Sequence, residues 1–160
     1  MLEAVRSWLI KVLSKLLPSL FRLIYSNEKM LGMVDVTISS ENEGLVVNCA
    51  DLPDARVWLE ITNLSPFTLK LTGIEAVLLW VGRAAEFRSL HCLNIKPHSK
   101  EKILIETSIN ELQARHIREK NQLDKPRLSV HAFFESSIRP LSKQREIQTS
   151  NFRLLNCGVA

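Results

Sequence analysis

Glycine and proline are scarce, at five and six residues of 160. So few exclude a collagen-like chain and a linker-dominated one. Cysteine is scarcer still: Cys49, Cys92 and Cys157. An odd number at wide spacing argues against a disulfide framework, which small secreted domains build from an even set, although one bridge plus one free thiol fits the count. No pair has the C-x-x-C spacing of a redox motif or a zinc ribbon. Cys49 and Cys92 lie in apolar, strand-like runs and are expected as buried structural thiols in a reducing compartment. Catalytic signatures are absent as well. The four histidines (His91, His98, His116, His131) show neither H-E-x-x-H nor H-x-H spacing. There is no G-x-S-x-G elbow, no phosphate-binding loop and no G-x-G-x-x-G. The dipeptide His91–Cys92 points its side chains to opposite faces of a strand, so it makes no local metal pair. No catalytic residue, metal site or cofactor is assigned, and the chain reads as a non-enzyme.

Charge of one sign is also lacking. Lys and Arg number 21 against 17 acidic residues, for a net charge of +4. That balance suits an anionic membrane surface but is not by itself a nucleic-acid-binding signature. With 46% hydrophobic and 24% charged residues, the composition is that of one ordinary globular domain, neither disordered nor a multi-span membrane protein.

The first 26 residues, MLEAVRSWLIKVLSKLLPSLFRLIYS, stand apart. At about 100° per residue, Leu2, Val5, Leu9, Val12, Leu13, Leu16, Leu20 and Leu23 share one broad face, widened by Ile10, Leu17 and Ile24. Lys11, Lys15 and Arg22 gather opposite, with Ser7 and Ser14. An apolar face backed by a basic one is the pattern of a helix lying in a membrane interface. Trp8, Phe21 and Tyr25 suit headgroup level. The expected membrane-contacting set is therefore Leu2, Val5, Trp8, Leu9, Val12, Leu13, Leu16, Leu20, Phe21 and Leu23, with Lys11, Lys15 and Arg22 on anionic headgroups. Spanning is less favourable: Lys11 and Lys15 would sit mid-span at roughly +2.5 to +3.5 kcal/mol each, which cancels the return from about a dozen apolar residues. A cleavable signal peptide fits worse, because lysines interrupt the apolar core and no A-x-A site follows. Pro18 is expected to bend or divide the helix. Periodicity does not tell lipid from protein, so docking of this face on a partner chain is the alternative.

After a polar link, SNEK (26–29), the period changes from helical to strand-like. Val34, Val36 and Ile38 alternate with Asp35 and Thr37; Val57, Leu59 and Ile61 alternate with Trp58, Glu60 and Thr62. A long run, TLKLTGIEAVLLWV (68–81), carries Gly73 as a bend or bulge. VGRAA (81–85) reads as a hairpin connection and KPHSK (96–100) as a turn before KILIETSI. Ser108 with Glu111 forms S-x-x-E, a capping box, opening a helix with Leu112, Ile117 and Leu123 facing inward. RLSVHAFFESS then returns to strand, with Leu128, Val130, Ala132 and Phe134 on one face, and a last strand is expected within 145–154. Seven or eight strands with turns every eight to twelve residues predict an antiparallel sandwich. The basic residues Arg115, Arg118, Lys120, Arg139, Lys143, Arg145 and Arg153 read as a solvated face. On the same side as Lys11 and Lys15 they would add attraction to anionic lipid. Aromatics do not interleave with them, so no base-stacking platform is indicated. The sequon-like Asn63-Leu64-Ser65 precedes Pro66, which disfavours glycosylation.

The order strand, Asn-x-x-Pro-Phe, strand, bend and long strand in VWLEITNLSPFTLKLTGIEAVLLWVGRAAEF resembles the late-embryogenesis-abundant type-2 (water-stress and hypersensitive-response) domain. Asn63, Pro66 and Phe67 keep that family's turn, while Leu64 and Ser65 depart from its commonest form. LNIKPHSKEKILIETSI is similar to its I-P-A-x-S stretch through Ile95, Pro97, Ser99, Ile103 and Ile105. The resemblance covers roughly residues 30–155. It implies an immunoglobulin-like β-sandwich with an inserted helix, tethered to a membrane by an amino-terminal segment, non-enzymatic, with stress protection and lipid or protein binding as the roles ascribed to members. No catalytic residues come with the family. The turn also has a sufficient structural reading: Asn starts it by side-chain to backbone bonding, Pro fixes φ, and Phe enters the core.

Together these readings predict a mainly β protein in two parts. Residues 1–26 form an amphipathic helical segment, and residues 30–156 an immunoglobulin-like antiparallel β-sandwich with an inserted helix. The expected setting is a membrane surface, with the cytoplasmic face favoured. Its expected partner is a lipid surface, or else a protein chain on which the helix docks.

Overall fold

The computed structural model describes residues 5, 8–10, 12–13, 18–41, 43–80, 82–120 and 125–156. Nine strands are described: β1 (Val34–Ile38), β2 (Leu45–Asn48), β3 (Asp54–Asn63), β4 (Leu69–Leu79), β5 (Arg83–Ile95), β6 (Ser99–Ser108), β7 (Arg127–Ser136), β8 (Pro140–Gln148) and β9 (Phe152–Leu155). Three helices accompany them, α1 (Pro18–Ile24), α2 (Asn27–Gly32) and α3 (Glu111–Lys120). Val5, Trp8, Leu9, Ile10, Val12 and Leu13 are helical as well. The protein is the mainly β sandwich that the alternation predicts.

Alternation decides which way each strand faces. In β3, Ala55, Val57, Leu59 and Ile61 are buried while Arg56, Trp58, Glu60 and Thr62 take the other face. In β7, Leu128, Val130, Ala132 and Phe134 do the same. Side chains of both sheets meet in one core with Phe67, Trp80 and Phe87. Each fully buried Leu, Ile or Phe contributes about 1.5–3 kcal/mol, so a single-residue slip of register would forfeit a whole row.

The first sheet is built around β3. One edge of β3 pairs along its whole length with β6. The other edge is shared, β1 taking residues 59–63 and β2 residues 54–57. Gly44 sits where the chain steps from β1 to β2: a Cβ there would lie 2.9 Å from the Ser39 carbonyl oxygen, which only glycine avoids. β9 closes the sheet in parallel with β2. The second sheet runs β5-β4-β7-β8, all antiparallel. Gly73 marks the irregularity expected of it. The register of β4 slips between Leu71 and Gly73 against both neighbours, moving the buried row from Leu69 and Leu71 to Ile74, Ala76 and Leu78. The β4–β5 turn holds Gly82 at φ 110°, a conformation that disfavours any side chain.

Several local expectations are corrected. SNEK is not an open link: Ser26 caps α2 by accepting from the Lys29 N–H at 3.3 Å, and Met30 of that helix is fully buried. Ser108 does not cap α3, because it ends β6. Asn110 does so, its Oδ1 accepting from the Gln113 N–H at 2.8 Å. Leu112, expected inside, is 78% exposed; Ile117 is buried as expected, and Ala114 and the preceding Ile109 are buried with it. Leu123 lies outside the described residues. The last expected strand is two, β8 and β9, which belong to different sheets.

Candidate functional site

The amino-terminal segment meets the sandwich at one end. Phe21 is buried, its ring stacked on Tyr25 with centroids 6.2 Å apart and edge-on to Phe67 at 6.1 Å. Tyr25 meets Phe67 edge-on at 5.0 Å, and the Lys29 ammonium lies 5.1 Å from the Tyr25 ring centre. Hydrogen bonds pin the same junction. Arg22 Nε donates to the Ile138 carbonyl at 3.1 Å, Arg139 Nη2 donates to the Arg22 carbonyl at 2.7 Å, and Lys143 Nζ donates to the Leu31 carbonyl at 2.9 Å. Ile10, half-buried, packs against the core cluster.

Six other apolar side chains described in the segment stay out of this docking. Val5, Trp8, Leu9, Leu13, Leu23 and Ile24 are exposed, Trp8 at 63% and Leu23 at 83%. The broad hydrophobic face is thus divided: Phe21 and Ile10, with Tyr25, serve the sandwich, and six large side chains face outward. Phe21, expected at the bilayer, belongs to the core, because only there do two aromatic rings cover it. Val12 is half-buried and the Arg22 side chain is exposed. Leu2, Lys11, Lys15 and Leu16, together with the Leu20 side chain, lie outside the described residues. Among the described residues, no helix is long and apolar enough to cross a membrane.

The turn beneath this junction is held by Asn63, which is fully buried. Its Nδ2 donates toward the carbonyls of Phe67 at 2.8 Å, Ile95 at 3.2 Å and Lys96 at 3.0 Å. Its Oδ1 accepts from the Ser65 N–H at 3.0 Å and the Ser65 hydroxyl at 2.7 Å. One side chain therefore ties the turn after β3 to the turn between β5 and β6. The Leu64 N–H donates to the Met33 carbonyl at 2.7 Å, attaching the end of α2 to the same turn. The Asn-x-x-Pro-Phe pattern is accounted for by this bonding and by the burial of Phe67.

Elsewhere the chemistry is sparse. Among the described residues, no three His, Cys, Asp or Glu side chains gather as a metal site. One groove of about 330 Å³ lies between α3 and the β4–β5 turn, lined by Trp80, Arg83, Leu112, His116 and Ile117. Another, also about 330 Å³, lies on the outer face of the first sheet, where Trp58, Val46, Leu104 and Leu155 are rimmed by Asp54 and Arg56. Arg56 is already ion-paired to Asp54 at 2.8 Å and Glu106 at 3.3 Å. Among the basic residues expected on a solvated face, Arg115 pairs with Glu119, Arg145 with Asp35 and Arg153 with Glu43.

Cysteine departs from expectation twice. Cys49 is buried, but as half of a disulfide rather than a free thiol. Cys92 is a free thiol, but exposed. No periodicity signal could have paired Cys49; beside it β9 returns along β2, and the Cys49 N–H donates to the Leu155 carbonyl at 2.9 Å. Cys157 lies outside the described residues. Denatured without reductant, the chain is expected to take one alkyl group, at Cys92, and three after reduction; peptide mass spectrometry checks both counts.

No family model matches the chain, and no curated protein matches it. Solved structures resemble it in coarse outline. A crystal structure of a protein from Archaeoglobus fulgidus is 12% identical, over 73% of this chain and 95% of that one, with a TM-score of 0.41. A solution structure named for a late embryogenesis abundant protein is 14% identical, over 92% of this chain and 88% of that one, with a TM-score of 0.42. A third, a solution structure from Arabidopsis thaliana, is 11% identical over 72% and 78%, with a TM-score of 0.42.

Proposed function

We propose that this protein is a non-enzymatic β-sandwich held at a membrane surface by its amino-terminal helical segment. Its role would be that implied by the late-embryogenesis-abundant type-2 resemblance: stress protection through lipid contact. The observation that carries the reading is the division of the amphipathic face. Phe21 anchors the segment to the sandwich, while Val5, Trp8, Leu9, Leu13, Leu23 and Ile24 stay exposed. Exposed Leu residues scattered singly need no explanation, but six large apolar side chains on one short segment do. Even at half of the roughly 1.5–3 kcal/mol that full burial brings, transfer of six to an acyl boundary contributes on the order of 5 kcal/mol. The disulfide at Cys49 favours the oxidising side of the membrane over the cytoplasmic face, since disulfides persist where thiols are not kept reduced.

Vesicle flotation tests the reading with neutral phosphatidylcholine and with vesicles containing 30% phosphatidylglycerol, comparing the full chain with one lacking residues 1–17. The cut spares Phe21 and Tyr25, the two rings that meet Phe67, and takes away the half-buried Ile10. The full chain should float, more so with anionic lipid, and the shortened chain should stay in the load fraction. If the full chain also stays there and runs as a defined oligomer without detergent, the exposed side chains cover a protein interface and the membrane reading falls.

A further inference from the structure

We infer that the helix is not the sole contact with the membrane: the sandwich end beneath it, with Leu64 at its tip and Arg22, Lys29, Lys96 and Arg139 around it, is a second contact with an anionic bilayer. This rests on the membrane reading and deepens it, because two separate contacts would set how the sandwich stands on the surface. Four segments converge at this end. They are α1 with α2, and the turns at 64–68, 96–98 and 137–139, joined by the Asn63, Leu64 and Arg139 hydrogen bonds. Leu64 is 55% exposed, yet its backbone is held on both sides, by its own N–H to Met33 and by the Ser65 N–H to Asn63. A large apolar side chain is presented to solvent on a rigid turn.

Charge points to the same surface. These segments carry four cations against one carboxylate, Glu28, and so hold three of the chain's net four positive charges. On the adjoining strands three lysines are paired with carboxylates, Lys70 with Glu135 at 3.3 Å, Lys100 with Glu60 at 2.9 Å, and Lys102 with Glu41, while Lys143 is taken up by the Leu31 carbonyl. The hydrogen bond from Lys102 holds the Glu41 carboxyl below the usual range, and the bond to Glu60 raises Lys100. Among the described residues, no ion pair involves Arg22, Lys29, Lys96 or Arg139. Cations with no carboxylate to neutralise them, around an apolar tip, complement a layer of anionic headgroups over hydrocarbon. They do not suit single-stranded nucleic acid, since Tyr25 is committed edge-on to Phe67 and offers no stacking platform.

The test is partition of the full chain and three variants onto the vesicles used above. Leu64→Ser should weaken binding to both vesicle types about fivefold. Lys29→Glu with Lys96→Glu should weaken binding to phosphatidylglycerol vesicles at least tenfold, and leave phosphatidylcholine binding within twofold. Leu90→Ser, 93% exposed on β5 and away from this end, should change neither. All three should melt with the parent chain in lipid-free buffer. If Leu64→Ser and the charge reversals bind like the parent while the chain lacking residues 1–17 does not, the helix is the only contact. The inference is then overturned while the membrane reading stands. If the full chain binds neither vesicle, both fall together.

Discussion

Replacement of Asn63 by Ala is expected to lower the unfolding free energy by about 3 kcal/mol. The change removes the donor that serves the Phe67, Ile95 and Lys96 carbonyls and the acceptor that serves Ser65. Each buried group left without a partner costs about 1–3 kcal/mol. For a chain of this size the melting temperature should fall by roughly 6–12 °C, measured by calorimetry or circular dichroism. Asn63→Asp is expected to be worse at neutral pH, since it sets a carboxylate against carbonyl oxygens. Ser65 still donates to one carboxyl oxygen, but burial and the three carbonyls facing the other raise the carboxyl pKa in the folded state, so folding favours the protonated form. The extra deficit of Asn63→Asp is therefore largest at neutral pH. It shrinks as pH falls toward the unfolded-state value near 4, because the neutral acid donates again. A deficit that did not change with pH would mean that Asn63 acts through shape and not through its amide hydrogens.

The second expectation separates the two halves of the amphipathic face. Phe21→Ala should cost about 3 kcal/mol in lipid-free buffer, in the range for a buried phenylalanine, because the ring is covered by Tyr25 and Phe67. Leu23→Ser, two residues away and 83% exposed, should alter stability by no more than about 0.5 kcal/mol and instead lower vesicle partition. Chemical denaturation of both variants, beside flotation, reads the two effects independently. Were Leu23→Ser to destabilise the soluble protein and Phe21→Ala to leave it unchanged, the assignment of inner and outer sides would be reversed.

Much of the fold is legible along the chain because a strand with one buried face must alternate. Val57, Leu59 and Ile61, and again Leu128, Val130, Ala132 and Phe134, announce their inward side without any knowledge of partners. The bend at Gly73 and the turn at Asn63–Phe67 are legible for a related reason, since glycine, proline and asparagine have local conformational preferences. Capping is less so. Ser108 and Asn110 are both competent caps, and the choice falls to Asn110 because β6 pairing with β3 claims Ser108 as far as Asp54. Leu112 is misread for the same kind of reason: helical periodicity gives the apolar stripe, but which part is covered depends on where α3 lies against the sheets.

What the chain determines by itself is whatever follows from neighbours a few residues apart. That includes the mainly β class, the inward rows of β3 and β7, an amphipathic amino-terminal helix, and the absence of any local catalytic or metal-binding motif. Tertiary structure alone decided what depends on residues distant in the chain. β1 and β2 share one edge of β3, and β9 returns in parallel to lie beside Cys49. Asn63 reaches carbonyls 32 and 33 residues away, and Phe21 turns inward onto Phe67 while Leu23 stays outside. The physical reason is that hydrophobicity is non-directional. The pattern requires that an apolar face be covered, but only the packed molecule settles which of its side chains the sandwich covers and which it leaves exposed.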